Sequence, residues 1–247
     1  MISSAYESAS RGSDVLRDIQ QRLPSAVLEI IFDVGANIGQ STERFKARFP
    51  GAMIWSFEPA SEFYTQLSNR FSNVSSIRCE RMAVGAIEGE VELALTTWPT
   101  MNHIATQSAK LPSPIAIKGL EKVAMTTLND YCSRHKIPRI DFLKIDTEGF
   151  DLAVLGGATS LISQGLVSFV QCECSVSPDN HYHCSLEAVR RFLEPMGHRL
   201  FGFYDQAEDW TTGAPNLRRV NAVFISPDIM RQGRLAPSSA EPVTAQH

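Results

Sequence analysis

The 247-residue sequence predicts an α/β fold: a doubly wound, Rossmann-like and mostly parallel sheet with helices on both faces. Three observations carry that expectation. Short apolar runs recur along the chain, and stretches with helical periodicity separate most of them. The first of these runs, Ile30 to Val34, breaks on Gly35 and Gly39 and continues into a helical pattern with Phe45 and Phe49 four residues apart. Acidic residues also stand at or near the ends of the runs: Asp33, Glu58, Asp146, Glu148 and Glu173. In open α/β sheets ligands bind beyond the carboxyl ends of strands, where the strand order reverses.

In chain order, residues 1–12 are Ser-rich and expected to be loose, 13–226 to form one domain, and 227–247 a disordered tail. Asp14 to Leu23 reads as a helix with Val15, Leu16, Ile19 and Leu23 on one side, stopped by Pro24. The strand ending at Val34 leads into the glycine loop. There Gly35 and Gly39 can take positive φ and let a ligand approach the backbone, and Asn37 tolerates the left-handed region. Such a loop feeds a helix N-terminus, whose free N–H groups favour anionic or polar ligand groups. Its spacing is G-x-x-x-G rather than G-x-G-x-x-G, which is poor for seating a pyrophosphate. Asp33 can attract a cationic ligand group or hold the loop by hydrogen bonds.

Ala52 to Phe57 is the second buried strand, and it ends on Glu58-Pro59. Glu58 lies 25 positions after Asp33, which places it to accept both hydroxyls of a ribose; the alternative is a solvated strand-end carboxylate. A helix follows from Ser61 to Phe71, and a third strand runs from Ser76 into a turn at Gly85. Met82 and Ala83 on that strand are placed to flank an adenine ring or to serve as ordinary packing. Glu90 to Leu95 alternates as a further strand. Thr96 to Ser113 is irregular and polar, the length of a lid or substrate loop, with Met101, Asn102 and His103 as contact candidates.

Thr127 with Asp130 starts a helix that ends near His135. Ile140 to Ile145 is the next buried strand, and it closes on Asp146-Thr147-Glu148-Gly149. A helix from Phe150 ends at Gly156-Gly157. Leu166 to Cys174 is a strand, Leu186 to Met196 a helix, and Arg199 to Tyr204 and Asn221 to Ile225 are strands.

Asp146 and Glu148 form a second chemical centre. Two carboxylates two residues apart can serve a cationic ligand, a metal or proton abstraction, or simply cap the following helix. Cys172, Cys174, His181, His183 and Cys184 raise a zinc reading, but C-x-C is not the usual spacing of closed zinc sites, and buried strand cysteines are common packing. His181 and His183 lie in a polar loop leaving a strand's carboxyl end, so both are candidate site residues.

Composition narrows the class. A net charge of −4 gives no general electrostatic case for nucleic acid or an anionic membrane. No apolar run approaches the roughly 20 residues that span a bilayer. The polar start lacks a signal-peptide core, and five cysteines without framework spacing suit reduced thiols, so a cytoplasmic protein is expected.

Taken together, Phe32 to Gly39 and Leu143 to Asp151 resemble the two strongest motifs of FkbM-type methyltransferases, which use S-adenosylmethionine. Glu58-Pro59 and Ala83-Val84-Gly85 match the motifs between them, and Thr127-Leu128-Asn129-Asp130-Tyr131 is similar to the family's Thr-Leu-Asp pattern with Asn129 in place of Asp. The resemblance runs from Ile30 to Ile225. It implies a seven-stranded sheet whose last strand, Asn221 to Ile225, is antiparallel. It also implies an S-adenosylmethionine site built from Asp33, Gly35, Asn37, Gly39, Glu58, Pro59, Met82, Ala83, Asp146 and Glu148. The expected chemistry is O-methylation of a sugar, glycoconjugate or secondary-metabolite hydroxyl, with a small-molecule or glycan acceptor. Candidate bases are Asp146, Glu173, His181 and His183. A divalent cation on Asp146 and Glu173 is the other way to activate the acceptor. The competing classes are a nicotinamide-dinucleotide oxidoreductase, which should carry G-x-G-x-x-G, and a non-catalytic nucleoside-binding module.

Overall fold

The structure is a computed structural model that describes residues 12–105, 115–209 and 211–233. Helices and strands run in the order α1 (Val15–Arg22), β1 (Ile30–Val34), α2 (Gln40–Arg48), β2 (Met53–Phe57), α3 (Ser61–Arg70), β3 (Ile77–Glu80), β4 (Ala83–Val84), β5 (Gly89–Thr96), β6 (His103–Ile104), β7 (Ile117–Thr126), α4 (Leu128–His135), β8 (Ile140–Ile145), α5 (Asp151–Gly156), α6 (Thr159–Ser163), β9 (Val167–Ser175), α7 (Leu186–Leu193), β10 (Arg199–Asp209), β11 (Ala214–Ile225) and α8 (Pro227–Gln232).

Seven strands form the main sheet in the order β10-β11-β9-β8-β1-β2-β3. β3, β2, β1, β8 and β9 pair in parallel, and β11 is antiparallel to both of its neighbours, as the resemblance implied for the last strand. The strand order reverses at β1, which has β2 on one side and β8 on the other.

Both faces are covered, so the central strands read as continuous apolar runs. Alternate residues of β1 serve opposite layers: Phe32 packs with Leu128, Tyr131 and Val154, and Ile31 with Ile19, Phe45 and Ile229. Helix starts follow local chemistry. Asp14 Oδ1 accepts from the N–H groups of Leu16 and Arg17 at 2.9 and 3.1 Å, and Thr127 Oγ1 accepts from Asp130 N at 3.0 Å.

Two features differ from expectation. The strand at 89–96 does not join the main sheet. It pairs antiparallel with β7 and β6, and β4 adds parallel to β7, giving a second, four-stranded sheet. β7 starts at Ile117, well before the apolar stretch at Val123, because one of its faces is solvated and carries Lys118, Leu120 and Lys122 at exposed positions. Ala60, Phe63, Ala83, Leu93, Ile104, Val123 and Met125 fasten this sheet to α3. The chain also stays ordered past 226: Ser226 caps α8, where a tail was expected from 227. The expected loose start through residue 11, the rest of the tail from 234 and the loop at 106–114 lie outside the described residues. Among the described residues no helix is long and apolar enough to cross a membrane.

Candidate active site

The loop after β1 is tied to both neighbouring strands. Gly35 N and Ala36 N both donate to Phe57 O at 3.0 Å, and Asp146 N donates to Val34 O at 3.0 Å. These bonds draw the carboxyl ends of β1, β2 and β8 together, and the open space beyond them is a cavity of about 330 Å³. Gly35, Asn37, Glu58, Pro59, Met82, Ala83, Asp146 and Glu148, all singled out in the sequence, line it. Phe63, Leu93 and Ile104 add an apolar side from α3 and the second sheet.

Glu58 is buried in this wall, and both its oxygens are already engaged: Oε2 accepts from Asn37 N and Oε1 from Ala60 N, each at 2.9 Å. Burial pushes its carboxyl up to about 7, against the pull of those two N–H groups and of Lys144. Each oxygen keeps a further lone pair for a donor arriving from the cavity.

Asp33 does not face the cavity. It is fully buried, accepts from Thr42 Oγ1 at 2.7 Å and pairs with Lys144 Nζ at 3.0 Å. The expectation that it receives a cationic ligand group gives way to its other reading, a carboxylate that holds the loop. Lys144 Nζ also reaches Gly35 O at 3.2 Å and Asp146 Oδ2 at 3.4 Å. Burial alone would lower this lysine, but the carboxylates of Asp33 and Asp146 outweigh it and hold the ammonium above its ordinary range. Lys144→Met leaves Asp33 buried without its counter-charge, so it should cost roughly 3–5 kcal/mol in denaturant unfolding. Adding Asp33→Asn should recover part of that loss; no recovery would mean that the pair is not what holds the loop.

Gly39 also stands apart from the cavity lining. It caps α2 at φ +91°, where a Cβ would lie 2.4 Å from the Phe71 ring, so its glycine serves packing against α3.

A second cavity of about 400 Å³ adjoins the first and shares Thr100, Asp146 and Glu148 with it. Trp98, Met101, Glu173, Tyr182, His183, Arg218 and Arg219 complete its wall. The turn at Pro99–Met101 divides the two spaces, and it is held by the Tyr182 hydroxyl, which donates to Met101 O at 2.8 Å. His103 Nδ1 lies 3.0 Å from the same carbonyl. Of the loop candidates, Asn102 and His103 therefore face the first cavity and Met101 the second.

Glu148, Glu173 and His183 meet in this second space. His183 Nε2 is 3.0 Å from Glu173 Oε2 and 3.5 Å from Glu148 Oε2, and Arg219 pairs with the other Glu173 oxygen. Burial raises the Glu148 carboxyl above its ordinary value, against the hydrogen bond from His183. Glu148 has a left-handed backbone at φ +53°, rare for a residue with a side chain. His181, in contrast, is exposed and lines neither cavity.

The cation expected on Asp146 and Glu173 meets a different donor set. Among the described residues, the group with ligand atoms within 4.8 Å of one another is Glu148, Glu173 and His183, without Asp146. His183 itself does not suit a metal. Asn180 Oδ1 accepts from Tyr182 N at 3.2 Å and its Nδ2 donates to Arg218 O at 3.4 Å, which fixes the amide with Nδ2 3.0 Å from His183 Nδ1. Asn180 Oδ1 also lies 3.3 Å from Nδ1, but the nearer amide nitrogen favours Nδ1 as the acceptor and the hydrogen on Nε2, an arrangement that leaves no lone pair toward the two carboxylates. Cys172 and Cys174 are buried in the hydrophobic core, away from this cluster.

Sequence reading passed over Lys144, Asn180, Arg219 and the turn at Thr100. Only Lys144 left a local signal, a lone cation inside an apolar strand two residues before Asp146.

The chain is similar in sequence to known methyltransferases. Residues 33–200 match the methyltransferase FkbM domain. The chain is 30% identical over 144 residues to methyltransferase 1 of Beauveria bassiana, covering 51% of this chain and 57% of that protein. It is 27% identical over 158 residues to methyltransferase sdnD of Sordaria araneosa, covering 51% and 59%. The aligned part thus spans a little under three fifths of the curated relatives' own length. Among solved structures, magnesium protoporphyrin IX methyltransferase from Synechocystis, with S-adenosylmethionine bound, aligns with a TM-score of 0.46 at 9% identity, covering 85% of this chain and 77% of that one. The resemblance carried by the glycine loop and the Asp146–Gly149 motif is borne out, and the chain belongs to the FkbM family of S-adenosylmethionine-dependent methyltransferases.

Proposed function

We propose that this chain moves the methyl group of S-adenosylmethionine to a hydroxyl oxygen of a sugar, glycoconjugate or secondary metabolite. The observation that carries the reading is the pair of adjoining cavities with Thr100, Asp146 and Glu148 in their common wall. The bound cofactor supplies a sulfonium whose methyl carbon is electrophilic. The residues around the first cavity do the holding. Glu58 offers its free lone pairs to the ribose hydroxyls, Met82 and Ala83 flank the adenine, and Asp146 sets a carboxylate near the cationic end. The second cavity takes the acceptor. A hydroxyl becomes a competent nucleophile as its proton leaves, so it needs a base within hydrogen-bond reach, and the carboxylates at the shared wall meet that need. Arg218 and Arg219 are matched by Asp209 and Glu173, which suits an uncharged, polyhydroxylated acceptor.

Calorimetry with S-adenosylmethionine, S-adenosylhomocysteine and NAD, followed by transfer of labelled methyl to a panel of hydroxylated compounds, tests the reading. Binding of the first two but not NAD, with methyl ether products, supports it. Preference for NAD, or methylation only at nitrogen, would sink it.

The binding step should depend on pH. Ribose hydroxyls donate to an ionised Glu58, whereas the free protein holds a proton there below about 7. Affinity for S-adenosylmethionine should therefore be level above pH 8 and fall about tenfold by pH 6, with a proton released on binding. A flat profile from pH 6 to 8 would remove Glu58 from the ribose.

A further inference from the structure

We propose that Glu148 is the carboxylate that takes the acceptor's proton, and that Asn180 and His183 position it by keeping a hydrogen on His183 Nε2. The proposal rests on the O-methylation reading above.

Elimination among the acids at the shared wall leads to Glu148. Asp146 is bound to the Lys144 ammonium at 3.4 Å. Glu173 is committed to Arg219, while His183 Nε2 stands between it, at 3.0 Å, and Glu148, at 3.5 Å. Glu148 lines both cavities, makes no contact to a basic group among the described residues other than the longer one to His183, and is half-buried, which keeps it a stronger proton acceptor than an exposed carboxylate. The titratable groups that bear on it are His183, Asp146, Asp151 and the Tyr182 hydroxyl.

The backbone supports the same assignment. Glu148 at φ +53° and Gly149 at φ +96° make a left-handed turn, and a Cβ on Gly149 would lie 2.2 Å from Tyr182 O. That close approach pins the Glu148 turn to the segment that carries Asn180, Tyr182 and His183. Strain of this kind persists where the surroundings over-determine it, and it concentrates at functional sites.

In the step proposed, the acceptor O–H bond breaks and its proton goes to the Glu148 carboxylate. The oxygen forms a bond to the methyl carbon as the carbon–sulfur bond breaks, leaving its electron pair on sulfur as a neutral thioether. The proton then passes from Glu148 to solvent. His183 does not take it: Nδ1 faces the Asn180 amide hydrogens, and Nε2 already carries hydrogen. His183 and Asn180 are positioning residues.

Two measurements test this. Nitrogen-15 spectra of histidine-labelled protein should show His183 as the Nε2–H tautomer, unchanged by millimolar Mg²⁺ or Zn²⁺. The Nδ1–H tautomer, or a metal-induced shift at His183 that Glu148→Gln abolishes, would overturn the proposal whether or not an acceptor is known. With an acceptor in hand, Glu148→Gln should lower kcat at least about 100-fold while S-adenosylmethionine affinity changes no more than a few-fold, and Glu148→Asp should retain part of the rate. His183→Gln should move the acidic limb of the pH–rate profile upward, since the hydrogen bond that favours ionised Glu148 is weakened. A Glu148→Gln rate within a few-fold of wild type would assign the proton elsewhere. Failure of the wild type to bind S-adenosylmethionine would instead count against the parent reading, and the tautomer result would still stand.

Discussion

Gly35→Ala should lower the melting temperature by about 10 °C and abolish S-adenosylmethionine binding. A Cβ built at this position lies 1.8 Å from Asp146 O, a backbone atom that no side-chain rotation can move away. The φ of +77° adds a penalty of its own, roughly 1–2 kcal/mol for a residue with a side chain. Overpacking of this kind adds roughly 1–3 kcal/mol, and for a chain of this length each kcal/mol shifts the midpoint by about 2–4 °C. Relief requires β1 and β8 to part at their carboxyl ends, where Asp146 N donates to Val34 O. Gly35, Asn37 and Asp146 would then no longer face one cavity. Differential scanning fluorimetry with and without cofactor reads both effects. A melting point within 2 °C of wild type would show that the strands do not approach this closely.

Glu58→Ala should weaken S-adenosylmethionine binding about 100- to 1000-fold in calorimetry, with a smaller change in kcat at saturating cofactor. Two hydrogen bonds from ribose to a carboxylate are lost, each worth roughly 1.5–3 kcal/mol when the acceptor is charged. Asn37 N and Ala60 N lose their acceptor as well, so the loop that forms the floor loosens. Equal affinity for wild type and Glu58→Ala would refute the ribose assignment. The same carboxylate bears on stability with its own sign. Its folded-state value, near 7, is raised above the ordinary 4.5, so the free protein loses stability as pH rises across that window, by about 3 kcal/mol at most. Cofactor binding above pH 7 should offset the loss.

The strand–loop–helix unit, the cavity-lining Glu58 after β2 and the Asp146–Gly149 turn were legible because each is written in a few consecutive residues. What escaped notice depends on partners far apart in sequence. The alternation at 89–96 is right for a strand, but its partner starts at Ile117, and only their pairing, with Leu93 opposite Glu121, shows that the two belong to a separate sheet. Asp33 has the same difficulty. Its carboxylate could be aimed at a ligand or inward until register sets it beside Lys144 on the neighbouring parallel strand. His181 and His183 share one loop and differ by two residues, yet only His183 turns inward, fixed by an asparagine whose role has no motif. Gly35 and Gly39 looked equivalent in sequence; one admits the backbone of β8 and the other the side chains of α3.

The turn at Pro99–Met101 serves as a partition, with Thr100 exposed to both chambers and Met101 O anchored by Tyr182. Whatever occupies one chamber thereby sets the outline of the other. With donor and acceptor in the two chambers as proposed, any effect of one on the other's affinity is reciprocal. Under that reading, Thr100, Asp146 and Glu148 are the residues through which the two ligands would sense each other.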